Sequence, residues 1–220
     1  MFKLIIQSIL LIYLVLMVYH TILLQRFNIN GVITEINDYD KIKENEIILN
    51  PVITKQTFNF DINNSRYEFL QDIINYKNKN ESYVFKNFEL FEKIVKEEMI
   101  FNYNIFDESY LYFPIYKSIT IITGKNSIPL KKCIHNKNII GVLEGSAIIY
   151  LFNPKHKDEI LNKQNNEIKK WGHKKLIEKG DILIIPPHWS YIEEIEDSII
   201  QYHIDIDTYM TCVPNYIKDS

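Results

Sequence analysis

Arginine is almost absent from the 220-residue chain, occurring only as Arg26 and Arg66, and alanine occurs once, as Ala147. Isoleucine, asparagine, lysine and tyrosine are abundant instead, the bias of an AT-rich coding sequence. The Asn/Lys-rich stretches Asn75–Asn80 and Asn162–Lys170 therefore read as loop filler rather than functional tracts. Cysteine is scarce too. Cys133 and Cys212 lie far apart and form no CxxC or Cys/His cluster, so they define neither a zinc site nor a disulfide framework. Isolated buried thiols are the favoured reading, with pairing left open if the domain faces an oxidising compartment. A formal charge of -3, with Lys, Asp and Glu interspersed, offers no basic face to a phosphate backbone and argues against nucleic acid as a partner. There is no glycine-rich phosphate loop, GxSxG elbow or HExxH helix.

Long apolar runs are also missing, with one exception. Leu4 to Leu24 carries only Gln7, Ser8, His20 and Thr21 as clearly polar side chains and no formal charge. At about 1.5 Å per residue it matches a hydrocarbon core about 30 Å thick, which predicts a transmembrane helix in contact with the lipid bilayer through residues 4–24. The run exceeds a usual signal-peptide core, and no small-x-small pair follows it before Gln25 and Arg26, so an uncleaved single-pass anchor is expected over residues 1–26. Lys3 flanks one end and Arg26, Lys41 and Lys43 the other, so the positive-inside count is close to balanced. The sequons at Asn63 and Asn80 tilt the expectation towards a lumenal or external domain carrying glycan there.

Roughly 190 residues remain, enough for one chain to bury one core. Residues 27–60 are polar with scattered isoleucines and read as a stalk leading into the domain. Residues 61–112 read as a helical flank, because Tyr67–Tyr76 and Phe88–Met99 place apolar residues at helical spacing, with Phe88, Phe91, Ile94, Val95 and Met99 on one face. Beyond Pro114 short β-branched runs follow, broken by Gly, Pro and Asn: SITIIT, NIIGVL, SAIIYLF, DILIIP and SIIQYHIDI. Five strands at this spacing suggest an antiparallel barrel or sandwich over residues 113–220.

Two blocks carry a resemblance. Lys179-Gly180-Asp181-Ile182-Leu183-Ile184-Ile185-Pro186-Pro187-His188-Trp189 is similar to the Gly-Asp-hydrophobic-Tyr-Ile-Pro-Pro-x-Trp-Trp-His segment of the cupin-like, JmjC-type Fe(II)/2-oxoglutarate oxygenases. Asn138 to Pro154 resembles the same family's Asn-Leu…Gly-x-Lys…Leu-Phe-x-Pro hairpin. The resemblance spans roughly residues 115 to 205 and implies a double-stranded β-helix, or jelly-roll barrel, with flanking helices. An N-terminal transmembrane helix plus an α+β domain of this type is therefore the expected fold.

The resemblance also implies where iron and cosubstrate would sit. The family's His-x-Asp/Glu pair falls on Lys132 and Ile134, or on Lys131 and Cys133 if the alignment slips by one; its distal His falls on Tyr191, and its cosubstrate lysine on Ala147. A neutral imidazole and a carboxylate are missing together, so the resemblance supports the fold and argues against the activity. His203-Ile204-Asp205-Ile206-Asp207 is a literal His-x-Asp whose period-two alternation puts His203, Asp205 and Asp207 on one strand face, read as solvated. A relocated metal site using His135 or His188 with His203 and Asp205 is the alternative. His156 reads as a surface turn residue, and Trp171 with His173 as a loop with a buried indole.

The reading is a membrane-anchored, non-catalytic cupin-like module that needs no cofactor and binds a protein or small molecule not named by the sequence. An Fe(II)- and 2-oxoglutarate-dependent hydroxylase with relocated ligands comes second, and a structural membrane or virion-surface protein third.

Overall fold

The computed structural model describes residues 2–24, 31–36, 50–57, 60–62, 68, 70–71, 83–98, 112–161, 163–208 and 211–212. Its first element, α1, is a 23-residue helix over Phe2–Leu24. From Lys3 to Tyr19 every side chain except that of Met17 is exposed, so no apolar stripe of α1 is buried against the rest of the chain. Among the described residues no helix is long and apolar enough to cross a membrane.

Among the described residues the rest is built on ten strands: β1 (Thr34–Ile36), β2 (Val52–Lys55), β3 (Tyr83–Asn87), β4 (Tyr112–Thr123), β5 (Asn126–Lys132), β6 (Lys137–Phe152), β7 (His173–Glu178), β8 (Asp181–Ile185), β9 (Ser190–Ile195) and β10 (Ser198–Thr208). The first sheet runs β1-β2-β8-β6-β10-β4-β3, and the second runs β5-β9-β6-β7. Within them, the four-strand orders β4-β10-β6-β8 and β5-β9-β6-β7 are antiparallel throughout. This interleaving is that of a jelly-roll double-stranded β-helix. NIIGVL and SAIIYLF, expected as two arms of a hairpin, form one continuous 16-residue strand, β6. Gly145 at φ +84 bends β6 without reversing it, so the half before the bend pairs with β8 and β10 and the half after it with β7 and β9.

The segment expected as a stalk supplies two strands. β2 pairs antiparallel with β8, and β1 pairs parallel with β2. Residues 61–112, expected as a helical flank, contain β3, which extends the first sheet beyond β4. The helix expected over Phe88–Met99 is present as α2 (Phe88–Glu98). It buries Phe91 and Ile94 against the outer face of the first sheet, each such side chain contributing about 1.5–3 kcal/mol. Phe88, expected on the same buried face, is 58% exposed and meets the Tyr116 ring edge-on. The helix expected over Tyr67–Tyr76 lies largely outside the described residues, as do Asn63 and Asn80.

Alternation along each strand separates two cores. On the outer face of the first sheet, Ile119, Ile121, Ile139, Leu143, Ile182, Ile184, Tyr202 and Ile204 pack under α2 and Phe60. Between the sheets lie Ile122, Ile140, Val142, Ile149, Leu151, Leu183, Ile185 and Trp189. A third, smaller cluster covers the outside of the second sheet, where Phe152 and Ile192 meet Ile160 and Ile168 from the turns between β6 and β7. Neither cysteine forms a disulfide, and Cys133 is buried.

Candidate functional site

The polar face of β10 points between the sheets. Ile200, Tyr202, Ile204 and Ile206 belong to the outer core, so the opposite phase turns Gln201, His203, Asp205 and Asp207 inward. Gln201 and Asp207 are fully buried and His203 is 7% exposed, which corrects the expectation of a solvated face. β4 supplies Ser118 and Thr120 to the same side, directly beside His203 and Gln201 in the ladder.

From the second sheet, β9 turns Tyr191 and Glu193 inward, since Ile192 between them packs outside. At the end of β5 it is Lys131 and the following Cys133 that face the interior, whereas Lys132 is exposed and Ile134 half-buried. Lys131 lies opposite Tyr191 in the ladder, its ammonium 5.7 Å from the ring centre. The loop after β8 is tied to this end of β5: Cys133 N–H donates to Trp189 carbonyl at 2.8 Å, and His188 N–H donates to Cys133 carbonyl at 2.7 Å. His188 adopts φ 70 to make this turn. Ala147, on β6 beyond the bend, is buried in the interior apolar core.

Burial dominates the titration of these groups. It pushes the Cys133 thiol up and the Tyr191 phenol well above 10. Burial lowers Lys131, and nearby Lys86 lowers it further, against the pull of Glu193 and Asp205. Burial raises the Glu193 carboxyl, opposed first by the Gln201 amide beside it. For His203, burial and then Lys131 and Lys86 bring the imidazole down to about 3, so it stays neutral near neutrality.

His135 and Asp207 come together away from His203. His135 Nδ1 lies 2.9 Å from Asp207 Oδ2, and the Asn136 N–H donates to Asp207 Oδ1 at 3.0 Å. Thr211 Oγ1 reaches the same Oδ1 at 3.3 Å, closing a clamp between the β5–β6 turn and the end of β10. Asp205 accepts from the Asn138 side chain. Among the described residues no three His, Cys, Asp or Glu side chains converge as ligands of a metal ion.

What sequence reasoning missed is the group at the centre. The Glu193 carboxyl and the Gln201 amide are buried side by side, and the Ser118 and Thr120 hydroxyls beside them are buried without a hydrogen-bond partner among the described residues. Glu193 sits in SYIEEI, where two consecutive glutamates hide the inward/outward phase of β9. Elsewhere, Trp171 is 36% exposed rather than buried, lying beside the His156 ring at 5.2 Å, and His173 is exposed at the start of β7. A shallow pocket of about 360 Å³ at the β6 bend is lined by Gly145, Leu176, Glu194, Glu196 and Asp197.

Strand order defines the class of fold: a jelly-roll double-stranded β-helix with a polar face turned between its sheets. No protein-family model matches the sequence, and no curated protein matches it. Among solved structures, the cupin domain of Drosophila melanogaster CENP-C is similar at TM-score 0.32 and 10% identity, over 41% of this chain and 60% of that one. A cupin superfamily protein from Desulfitobacterium hafniense DCB-2 is similar at TM-score 0.30 and 13% identity, over 44% of this chain and 76% of that one. The overlap thus spans about six tenths of the fly domain, and the assignment of class rests on this chain's own strand order.

Proposed function

We propose that the chain is a membrane-anchored cupin-like module that binds a partner or small molecule and does not catalyse oxygenation. The observation that carries this reading is the inward pair Lys131 and Cys133 beside Tyr191. If the chain derives from a JmjC-type barrel, these residues stand where His, carboxylate and distal His would hold iron. An ammonium there repels a divalent cation, and burial keeps the thiol and the phenol protonated. Ala147, at the cosubstrate-lysine position, offers no charge to a distal carboxylate. The residues present therefore do not fit Fe(II) and 2-oxoglutarate in that mode.

One observation favours a second reading, the hydroxylase with relocated ligands: His203 and Asp205 lie inside the barrel. It ranks second because Asp205 is engaged by Asn138, and His135 is engaged by Asp207. Anchoring through residues 4–24, with the domain lumenal or external and Asn63 or Asn80 open to glycan, belongs to the same proposal. It is supported by the exposed, apolar surface of α1.

Melting of the detergent-solubilised chain with Fe(II) plus 2-oxoglutarate tests the reading. Ligand at a hundred times its Kd would add about 2.7 kcal/mol, so a flat response is expected. A joint shift abolished by His203→Ala or Asp205→Ala would install the second reading.

A further inference from the structure

The connection between β6 and β7 carries a charge pattern that nothing above explains. From Lys155 to Lys175 the chain holds seven lysines and two histidines against three carboxylates, in a protein whose net charge is -3. The fold gathers these positive groups around one aromatic ring. His156 lies beside the Trp171 ring at 5.2 Å, and the Lys170 ammonium is 5.5 Å from the centre of the same ring. Partial burial lowers the His173 imidazole, and Lys155, His156 and Lys175 around it lower it further. Acids answer part of the charge: Glu159 lies 3.8 Å from His156, Glu194 holds Lys169 and Glu35 holds Lys175. Lys155, Lys157, Lys170 and Lys174 are exposed, and among the described residues none of these four lies within ion-pair distance of a carboxylate. Such a surface attracts an anion.

Two further observations select which anion. Apolar side chains stand among the lysines, with Leu161 53% and Trp171 36% exposed. Lysines alone would suit any dissolved polyanion, whereas an indole and a leucine among them suit a boundary at which anionic groups lie next to hydrocarbon. The position of the surface along the chain favours the same partner. Gly31 is buried against the Asn153 side chain, so closely that a Cβ there would overlap the amide, and Asn153 caps the turn Pro154–His156 that opens the connection. Seven residue steps lead from Leu24, the end of α1, to Gly31, and they reach at most about 25 Å. A bilayer that holds α1 is therefore tethered close to this end of the domain.

We propose that the β6–β7 connection and the start of β7 dock on the anionic lipid headgroups of the bilayer that holds α1, with Lys155, Lys157, Lys170 and Lys174 against the headgroup anions and Trp171 at the edge of the acyl chains. This rests on the anchoring reading, since residues 1–26 supply the tether. The attraction acts in whichever leaflet the domain faces.

The test is tryptophan fluorescence of the full chain reconstituted into vesicles of phosphatidylcholine alone, or of phosphatidylcholine with phosphatidylserine, in each case with brominated acyl chains. The chain has two tryptophans, and Trp189 is 1% exposed, so the change reports Trp171. Bromolipid quenching is expected in the phosphatidylserine vesicles, not in phosphatidylcholine alone, and is reversed by high salt. Combining Lys155→Gln, Lys157→Gln, Lys170→Gln and Lys174→Gln should abolish the phosphatidylserine-dependent part, because each lysine near an anionic surface contributes roughly a fivefold factor. The melting temperature of that variant is expected to be unchanged, since all four lysines are exposed. Carbonate-resistant flotation with phosphatidylcholine vesicles reports the anchor separately. A chain that floats but is quenched equally in both vesicles, or whose phosphatidylserine-dependent quenching survives the four substitutions, overturns the docking surface and leaves the anchor standing. Protection of Trp171 from acrylamide by added polyglutamate in phosphatidylcholine vesicles, without bromolipid quenching in either, overturns it in favour of an acidic protein. A chain that does not float overturns both.

Discussion

Replacing His203 with glutamine should flatten the acid side of the stability profile. His203 is buried on β10, and its imidazole is depressed from 6.5 to about 3 in the folded chain. The unfolded chain therefore binds the proton more tightly than the folded one between those two values. The stability associated with neutral His203 is fully present above pH 6.5 and is lost as pH falls towards 3. The slope approaches about 1.4 kcal/mol per pH unit, so acidification from about pH 7.5 to roughly 4.5 withdraws on the order of 2 to 3 kcal/mol. That is a large share of a typical 5–15 kcal/mol total. Glu193 works in the opposite sense. Its carboxyl is raised, so its contribution is present below the ordinary value of 4.5 and is lost as pH rises through the folded value. The wild-type profile mixes the two, and the difference between wild type and His203→Gln isolates the histidine. Urea denaturation of both in detergent, across about pH 7.5 to 4.5, should show curves that converge as pH falls. Parallel curves would refute the claim that His203 is held neutral by burial.

Gly145→Ala should destabilise the fold by at least about 2 kcal/mol, because alanine is strained at φ +84 and its Cβ would lie 2.1 Å from the Ser198 carbonyl oxygen. Denaturant midpoints measure the loss, and a variant within about 0.5 kcal/mol of wild type would show that the bend does not depend on glycine. Removal of residues 1–26 should release the domain from membranes on alkaline carbonate extraction. Sedimentation of the truncated chain with the membranes would place the attachment elsewhere.

How much of this was legible in the sequence depended on how plainly each strand showed its phase. β8 was legible because Gly180 and Pro186 bracket a run buried at every position. β10 was legible because isoleucine recurs at every second residue from Ile200, interrupted only by Tyr202. β1 and β2 were not, since three and four residues carry too little alternation to stand out from a polar segment. β5 hides behind Pro129, which a strand tolerates here because β5 is an edge and the proline sits where the register shifts between Ile128 and Lys131. At the site, the period of His203 and Asp205 could be read, but which side of the sheet they faced could not. Both faces of a sheet that carries a helix outside and a second sheet inside are buried, so polarity no longer marks the solvent. The choice between Lys131/Cys133 and Lys132/Ile134 needed the same information.

The sharing of β6 between both sheets has a consequence for how the molecule comes apart. Its residues are hydrogen-bonded on both sides along nearly the whole strand, to β8 and β10 before Gly145 and to β7 and β9 after it. Neither sheet can peel open without stripping the strand that the other also needs. Partial opening is thereby confined to the outlying strands β1, β3, β5 and β7, and the amide protons from Ile139 to Glu144, flanked by the interior strands β8 and β10, exchange with solvent only when the whole barrel is lost. Closing that barrel joins β4 to β10, as where Ile119 meets Tyr202, so the chain must be nearly complete before its cooperative unit exists.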